Sequence, residues 1–99
     1  MIRLVLPYHL RTLAKVDGEV TLDLDETHAT LGQALDALES LHPVLRGLIR
    51  DHATLQRRPF IRFYACSEDI SFTNYSEPLP APVRQGYEPL YIVGAMAGG

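Results

Sequence analysis

The segment best suited to chemistry in this 99-residue sequence is its last six residues, Gly94-Ala95-Met96-Ala97-Gly98-Gly99. Such small residues pack poorly, and six extended residues span about 20 Å at about 3.3–3.6 Å per residue. Glycine lacks a Cβ, so its backbone approaches catalytic groups closely. We therefore expect residues 94–99 to form a flexible tail. Gly98, Ala97 and Met96 would thread into another protein's active site, and Gly99 would present its carboxylate there.

A presented carboxylate has a simple route of activation. ATP converts it into an acyl-adenylate, which a sulfur donor turns into a thiocarboxylate and an amine turns into an isopeptide. The rest of the sequence shows no catalytic constellation. Cys66 has no evident activating group, and no glycine-rich phosphate loop is present. The four histidines lack the spacing of metal ligands, so no metal is expected.

Composition restricts the partners. Nine basic and twelve acidic residues give a net charge of −3, whereas phosphate binding usually needs a basic stripe, so we expect no nucleic-acid partner. Residues 1–6 lack the features of a secretion signal, and no apolar run approaches the roughly 20 residues that cross a bilayer. These features predict one cytoplasmic domain with no membrane partner and no bound cofactor.

The elements that must position the tail begin with two strands and a helix. Residues 2–6 and 20–24 alternate apolar and more polar side chains, as half-buried strands do. We predict an irregular loop over residues 9–18, which ends in the turn signal Asp17-Gly18. Thr30 and Gln33 have the spacing of a capping box and open an amphipathic helix. His42-Pro43 ends that helix, and a shorter helical turn is predicted over residues 44–49.

The second half of the sequence predicts two further strands. In residues 60–66 the core face is Ile61, Phe63 and Ala65, and residues 89–93 form the last strand. Between them, residues 67–85 contain three prolines, which restrict pairing to short or edge strands. Ile70, Leu79 and Val83 are expected to anchor this stretch in the core. The result is an α+β layout with the first and last strands side by side in the sheet.

The outward face of the predicted sheet is a candidate binding surface. Aromatic residues and arginine are the usual anchors of protein interfaces. We expect a partly apolar docking patch made of Phe60, Arg62, Tyr64, Tyr91 and Val93. The alternative is that some of these aromatic residues only cover the edge of the core.

With the element order and the tail in view, the sequence resembles the ubiquitin-like sulfur-carrier family. That family includes the molybdopterin synthase small subunit and the thiamine-biosynthesis sulfur carrier. The likeness covers almost the whole chain: the opening strand, residues 30–39 with the trailing His42-Pro43, residues 58–64, and the diglycine end. It implies a β-grasp domain over residues 1–93, with a mixed sheet of four to five strands wrapped on one main helix.

The resemblance also implies partners. Gly99 would be adenylated by a ubiquitin-activating-like adenylyltransferase that uses ATP, converted to a thiocarboxylate, and delivered to an acceptor synthase. The protein would then be a carrier and not an enzyme. Its length favours a molybdopterin-type or a less common carrier, although Cys66-Ser67-Glu68 stands where relatives often have Asn-Gly-Glu. The alternatives are a protein modifier conjugated through Gly99 and a non-reactive interaction subunit.

Overall fold

The computed structural model describes residues 1–94. Within them the elements are β1 (Ile2–Val5), α1 (Tyr8–Ala14), β2 (Val20–Leu22), α2 (Leu31–Leu41), β3 (Ile61–Ala65), β4 (Glu68–Asp69), α3 (Ala81–Arg84) and β5 (Leu90–Gly94). A single 3-10 turn, Pro43–Leu45, follows α2.

The strands form one mixed sheet in the order β2-β1-β5-β3-β4. β1 and β5 run parallel, with Leu4 beside Leu90, and the other neighbouring strands are antiparallel. The first and last strands therefore lie side by side, which confirms the predicted topology. Both terminal strands of the described chain lie inside the sheet, and β2 and β4 form its edges.

Helix α2 packs its apolar side against this sheet. The predicted capping box is present, because Thr30 Oγ1 accepts from the Gln33 N–H at 3.1 Å and Gln33 Oε1 accepts from the Thr30 N–H at 3.0 Å. Its inward residues are fully buried together with the inward residues of the strands. The core face predicted for β3 is confirmed: Ile61, Phe63 and Ala65 are all buried.

The prediction of an irregular loop over residues 9–18 is wrong in its first half, where α1 forms. Pro7 stands at the N-cap with an extended backbone, and Lys15 ends the helix in the left-handed region at φ 57°. Only Leu10 of this helix is buried. Leu10, Leu13 and Ala14 stand at helical spacing, but a seven-residue segment is too short for that spacing to distinguish a helix from a loop, and its helicity depends on tertiary packing.

Residues 67–85 are more ordered than their proline content suggests. Leu79 and Val83 are buried and Ile70 packs against the core, as predicted. Arg84 ties the stretch to the chain before α2 by donating to the carbonyls of Leu79, Glu26 and Thr27 at 2.7–2.8 Å. The final strand therefore starts from a fixed point.

Candidate functional site

The sequence analysis assigned Gly94 to the tail, but Gly94 is the last residue of β5. Gly94 pairs with Ile61 at the start of β3. His9 of α1 lies against it, since a Cβ built on Gly94 would fall 2.8 Å from His9 Cε1. The chain thus leaves β5 between α1 and the start of β3. The predicted reactive residue Gly99 and the threading residues Gly98, Ala97 and Met96 lie outside the described residues.

Four of the five predicted docking residues come together on the outward face of the sheet. Arg62 lies directly opposite Val93, and Tyr64 directly opposite Tyr91. Tyr91 and Val93 are 43% and 44% exposed, and their partners on β3 are partly exposed. Such cross-strand pairs bring side chains within about 4.5–5.5 Å at Cβ. The four side chains therefore form a continuous surface on the last two outward-facing residue pairs before the end of β5.

The sequence did not single out Val5, which extends this surface. Val5 lies beside Tyr91 on the other side of β5 and is half-buried. Val5, Tyr91 and Tyr64 thus make an apolar row across three strands. The alternation of β1 could have indicated Val5, because Val5 is apolar at an outward-facing position, where a polar residue is usual. We define the outward face as Val5, Arg62, Tyr64, Tyr91 and Val93.

Phe60 lies elsewhere. It lines a groove of about 410 Å³ with His9 and Leu13 of α1, and with Leu48 and Arg58. The groove is at the end of the sheet where β5 finishes, because His9 also touches Gly94. Phe60 is half exposed. The structure therefore separates Phe60 from the two cross-strand pairs and places it near Gly94, at the end of β5.

Arg3 holds the turn that leads into β5. Its Nε donates to the Gly86 carbonyl at 2.9 Å and its Nη2 to the Tyr87 carbonyl at 3.0 Å. Its Nη1 forms an ion pair with Glu19 at 2.8 Å. The arginine spans from the β2 side of the sheet to the chain just before β5. The strand that carries Tyr91 and Val93 is therefore fixed at its entry.

No group of three or more His, Cys, Asp or Glu side chains in residues 1–94 is arranged to hold a metal ion. No helix in the same range is long and apolar enough to cross a membrane.

Comparison with known proteins gives matches at the level of structure. No family model and no curated protein matches the sequence. SAMP1 from Haloferax volcanii is 26% identical with a TM-score of 0.75, covering 99% of this chain and 98% of that one. A chain of the BexX/CysO complex from Amycolatopsis orientalis is 24% identical with a TM-score of 0.75, covering all of both chains. Mycobacterium tuberculosis CysO is 20% identical, with a TM-score of 0.73, over 97% of this chain and 100% of that one.

The sheet order, the parallel central pair and the single main helix define a ubiquitin-like β-grasp protein, and these neighbours share that fold. SAMP1 and CysO are ubiquitin-like sulfur-carrier proteins, which confirms the resemblance predicted from the sequence. These neighbours are small carrier or modifier proteins and not catalytic enzymes.

Proposed function

We propose that this protein is a sulfur carrier whose Gly99 carboxylate is converted to a thiocarboxylate. One observation supports this most strongly: the likeness to SAMP1 and CysO extends over essentially the whole chain. In addition, the last strand ends at Gly94, and the five residues that follow finish in Gly98-Gly99. The protein supplies the acyl group, and enzymes supply the catalysis.

The chemistry requires two steps. First, a Gly99 carboxylate oxygen attacks the α-phosphorus of ATP, which forms the acyl-adenylate and releases pyrophosphate. Second, a hydrosulfide or an equivalent sulfur nucleophile attacks the acyl carbon and displaces AMP, which leaves the thiocarboxylate. The chain has no phosphate-binding glycine loop, so the ATP site belongs to a ubiquitin-activating-like adenylyltransferase. No cofactor is bound by the carrier itself.

The outward face is the surface on which we expect that enzyme to dock. Its two cross-strand pairs lie on β3 and β5, and β5 leads directly to the tail. An interface of standard size buries about 800 Å² on each partner, enough to cover the outward face and the start of the tail together. Among the structural neighbours, the A. orientalis structure is a complex of CysO with BexX.

The test is intact-protein mass spectrometry of the full chain incubated with ATP, a sulfide source and a competent activating enzyme. A mass gain that corresponds to replacement of one oxygen by sulfur, assigned to the C-terminal residue by fragmentation, is the expected result. A Gly99-deleted chain is the control and should show no gain. If the full chain also remains unchanged with an enzyme proven competent on its own carrier, the sulfur-carrier proposal is wrong.

A protein modifier is the second candidate. H. volcanii small archaeal modifier protein 1, 22% identical with a TM-score of 0.73, carries that function in its name. An amine in place of the sulfur nucleophile would give an isopeptide bond from Gly99 to a lysine. Adducts on lysine residues, detected in the same incubation with added cell protein, would assign this role. A non-reactive interaction subunit would give neither product, and deletion of Gly99 would leave its partner binding unchanged.

The acceptor of the sulfur is a further part of the proposal. We propose a molybdopterin-type synthase, on the basis of chain length. Thiazole-forming and cysteine-forming synthases are the alternatives. The purified thiocarboxylate is the reagent that separates them, because only the correct synthase with its own substrate should return the carrier to the carboxylate form.

A further inference from the structure

Phe72 is an exposed aromatic residue in the stretch 67–85, to which the sequence assigned no role. It is 82% exposed, more than any other large apolar side chain in residues 1–94. Arg57 Cζ lies 4.9 Å and Arg62 Cζ 5.4 Å from the centroid of its ring. Both distances are within the range of about 6 Å for cation–π contacts. An aromatic ring flanked by two arginines has the composition of an interface hot spot.

The backbone on both sides of Phe72 is firmly held. Ser71 is buried, and its Oγ accepts from the Phe63 N–H at 2.9 Å. Asp69 Oδ1 accepts from the Ser71 N–H at 2.8 Å, and the Thr73 N–H donates to the Ile70 carbonyl at 3.1 Å. The ring is therefore presented by an ordered scaffold. Preorganisation of this kind reduces the entropy lost when a ligand binds.

A groove of about 550 Å³ lies beside the ring, and we call it the Phe72 groove. Leu55, Phe72 and Tyr75 supply apolar and aromatic lining, and Arg57, Ser71 and Thr73 line it as well. Its volume is within the range of about 300–1,000 Å³ that holds ligand groups. A groove of this volume has room for a single large aliphatic or aromatic side chain.

The charge beside the groove is positive. Arg57 donates to three backbone carbonyls, those of Ser71, Arg58 and Ile61, at 2.7–3.3 Å. Neither Arg57 nor Arg62 forms an ion pair within 4 Å among residues 1–94. The carboxylate that faces them is Asp69, whose pKa is lowered first by its hydrogen bonds from Ser71 and then by the two arginines. Arg57 and Arg62 therefore face a single carboxylate, that of Asp69, which already accepts a hydrogen bond from the Ser71 N–H.

The charge of the whole chain is also unevenly distributed. Residues 46–62 contain five arginines and one aspartate, whereas residues 17–26 contain five acidic residues and no basic one. The net charge of −3 thus hides a basic region that includes Arg57 and Arg62. Complementary charge favours encounter with an acidic segment, and the acidic remainder of the protein disfavours a long polyanion.

We propose that the Phe72 groove binds an acidic peptide segment of a partner protein that carries one large apolar side chain. The apolar side chain packs against Leu55, Phe72 and Tyr75, and flanking carboxylates pair with Arg57 and Arg62. The site is formed by described residues only. It does not depend on the chemistry proposed for Gly99.

The test uses the full, isotope-labelled chain and a blocked pentapeptide with leucine between two acidic residues on each side. Titration followed by amide NMR should give saturable shifts at Leu55, Arg57, Phe72 and Thr73, with affinity that falls as salt is added. Two control peptides replace either the four acids by their amides or the leucine by glycine. Equal binding by either control, or shifts confined to other residues, would overturn the assignment.

Matched variants complete the experiment. Phe72→Ser should weaken the peptide by about tenfold or more, as loss of an anchoring aromatic does, and Arg62→Gln should weaken it and reduce its salt dependence. Tyr8→Ser is the control, since Tyr8 is 76% exposed and lies 5.7 Å from Arg11 Cζ outside the groove. Unchanged binding by Phe72→Ser would show that the Phe72 groove is not the peptide-binding site.

Tighter binding of an oligothymidylate at the same amides would assign the site to nucleic acid instead. A Gly99-deleted chain should bind the peptide normally, so the two proposals fail separately.

Discussion

Gly94 lies so close to His9 that a Cβ on Gly94 would fall 2.8 Å from His9 Cε1. The same Cβ would lie 3.5 Å from Ile61 Cδ1. The last residue of β5 therefore has little room for a side chain while His9 keeps its position. This contact links α1, which the sequence pattern did not reveal, to the point where the predicted tail begins.

Gly94→Ala should destabilise the protein modestly. The His9 ring is the end of a rotatable side chain, so the clash is relieved by its displacement, and we expect a loss of about 1 kcal/mol in the free energy of unfolding. Urea unfolding measures it. The double variant His9→Ser with Gly94→Ala should recover most of the loss. No difference between the double variant and Gly94→Ala alone would show that His9 is not the obstacle.

Ser67→Gly should stabilise the turn between β3 and β4. Cys66 and Ser67 are its two central residues, and both have positive φ, 52° and 66°. Residues other than glycine, asparagine and aspartate adopt this conformation at a cost, and such hairpin turns favour Asn-Gly. We expect a gain of about 0.5–1 kcal/mol by thermal or urea unfolding. The same change at Ser40, in the last turn of α2, should give no gain, because glycine is unfavourable in a helix. A loss at Ser67 would contradict the turn geometry.

Among the charged residues, Arg50, whose guanidinium is buried, should be the one whose substitution lowers the free energy of unfolding most. It is 3% exposed, hydrogen-bonds to Glu39 at 2.9 and 3.1 Å and to Asp36, and lies over the Tyr75 ring. Arg50→Ala would leave the largely buried Glu39 without its partner, at a cost of about 3 kcal/mol in the free energy of unfolding. Exposed Arg46→Ala should change stability by less than about 0.5 kcal/mol. Equal effects of the two substitutions would show that Arg50 is not a structural clamp.

The fold was predictable from the sequence wherever burial left a periodic pattern. The capping box at Thr30 and the inward residues of β3 show such patterns, and both are confirmed. α1 was missed because its seven residues are too few for the spacing of Leu10, Leu13 and Ala14 to establish a helical period. The Phe72 groove was also hidden: Arg57 and Phe72 are fifteen positions apart, and only the fold brings them together. The sequence shows only that a phenylalanine stands at position 72 in a polar, proline-containing stretch.

Stability should fall in acid. Asp25, Asp51 and Asp69 accept hydrogen bonds from nearby N–H groups, and their pKa values are lowered below the ordinary 3.8. The largest cause of the lowered pKa is the hydrogen bond from Thr27 for Asp25, from Thr54 for Asp51 and from Ser71 for Asp69.

Because these pKa values are lower in the folded state, the unfolded state takes up protons first as the pH falls. The stabilisation is therefore present above about pH 4 and is lost as the pH drops through the folded-state values. Urea unfolding between pH 6 and pH 3 checks this. Asp51→Asn keeps an acceptor oxygen for the local N–H groups but does not titrate, so its stability should depend less on pH. An unchanged pH dependence in Asp51→Asn would exclude Asp51 as a contributor.

Substitutions on the outward face should affect recognition by the activating enzyme and not the chemistry at Gly99. Tyr91 is the central residue of the apolar row Val5, Tyr91 and Tyr64, and Tyr91→Ala removes its ring. A central aromatic residue commonly contributes about 2 kcal/mol or more to an interface, which is about thirtyfold in affinity. We expect the KM for the carrier in pyrophosphate release to rise by at least about tenfold, with kcat within about twofold of the unsubstituted chain. Thr21→Ala is the matched control, since Thr21 is exposed on the same face of the sheet but on the far edge strand β2. A fall in kcat with KM unchanged would indicate that Tyr91 affects the position of the tail and not docking. Equal kinetics in Tyr91→Ala and Thr21→Ala would show that the enzyme docks elsewhere on the protein.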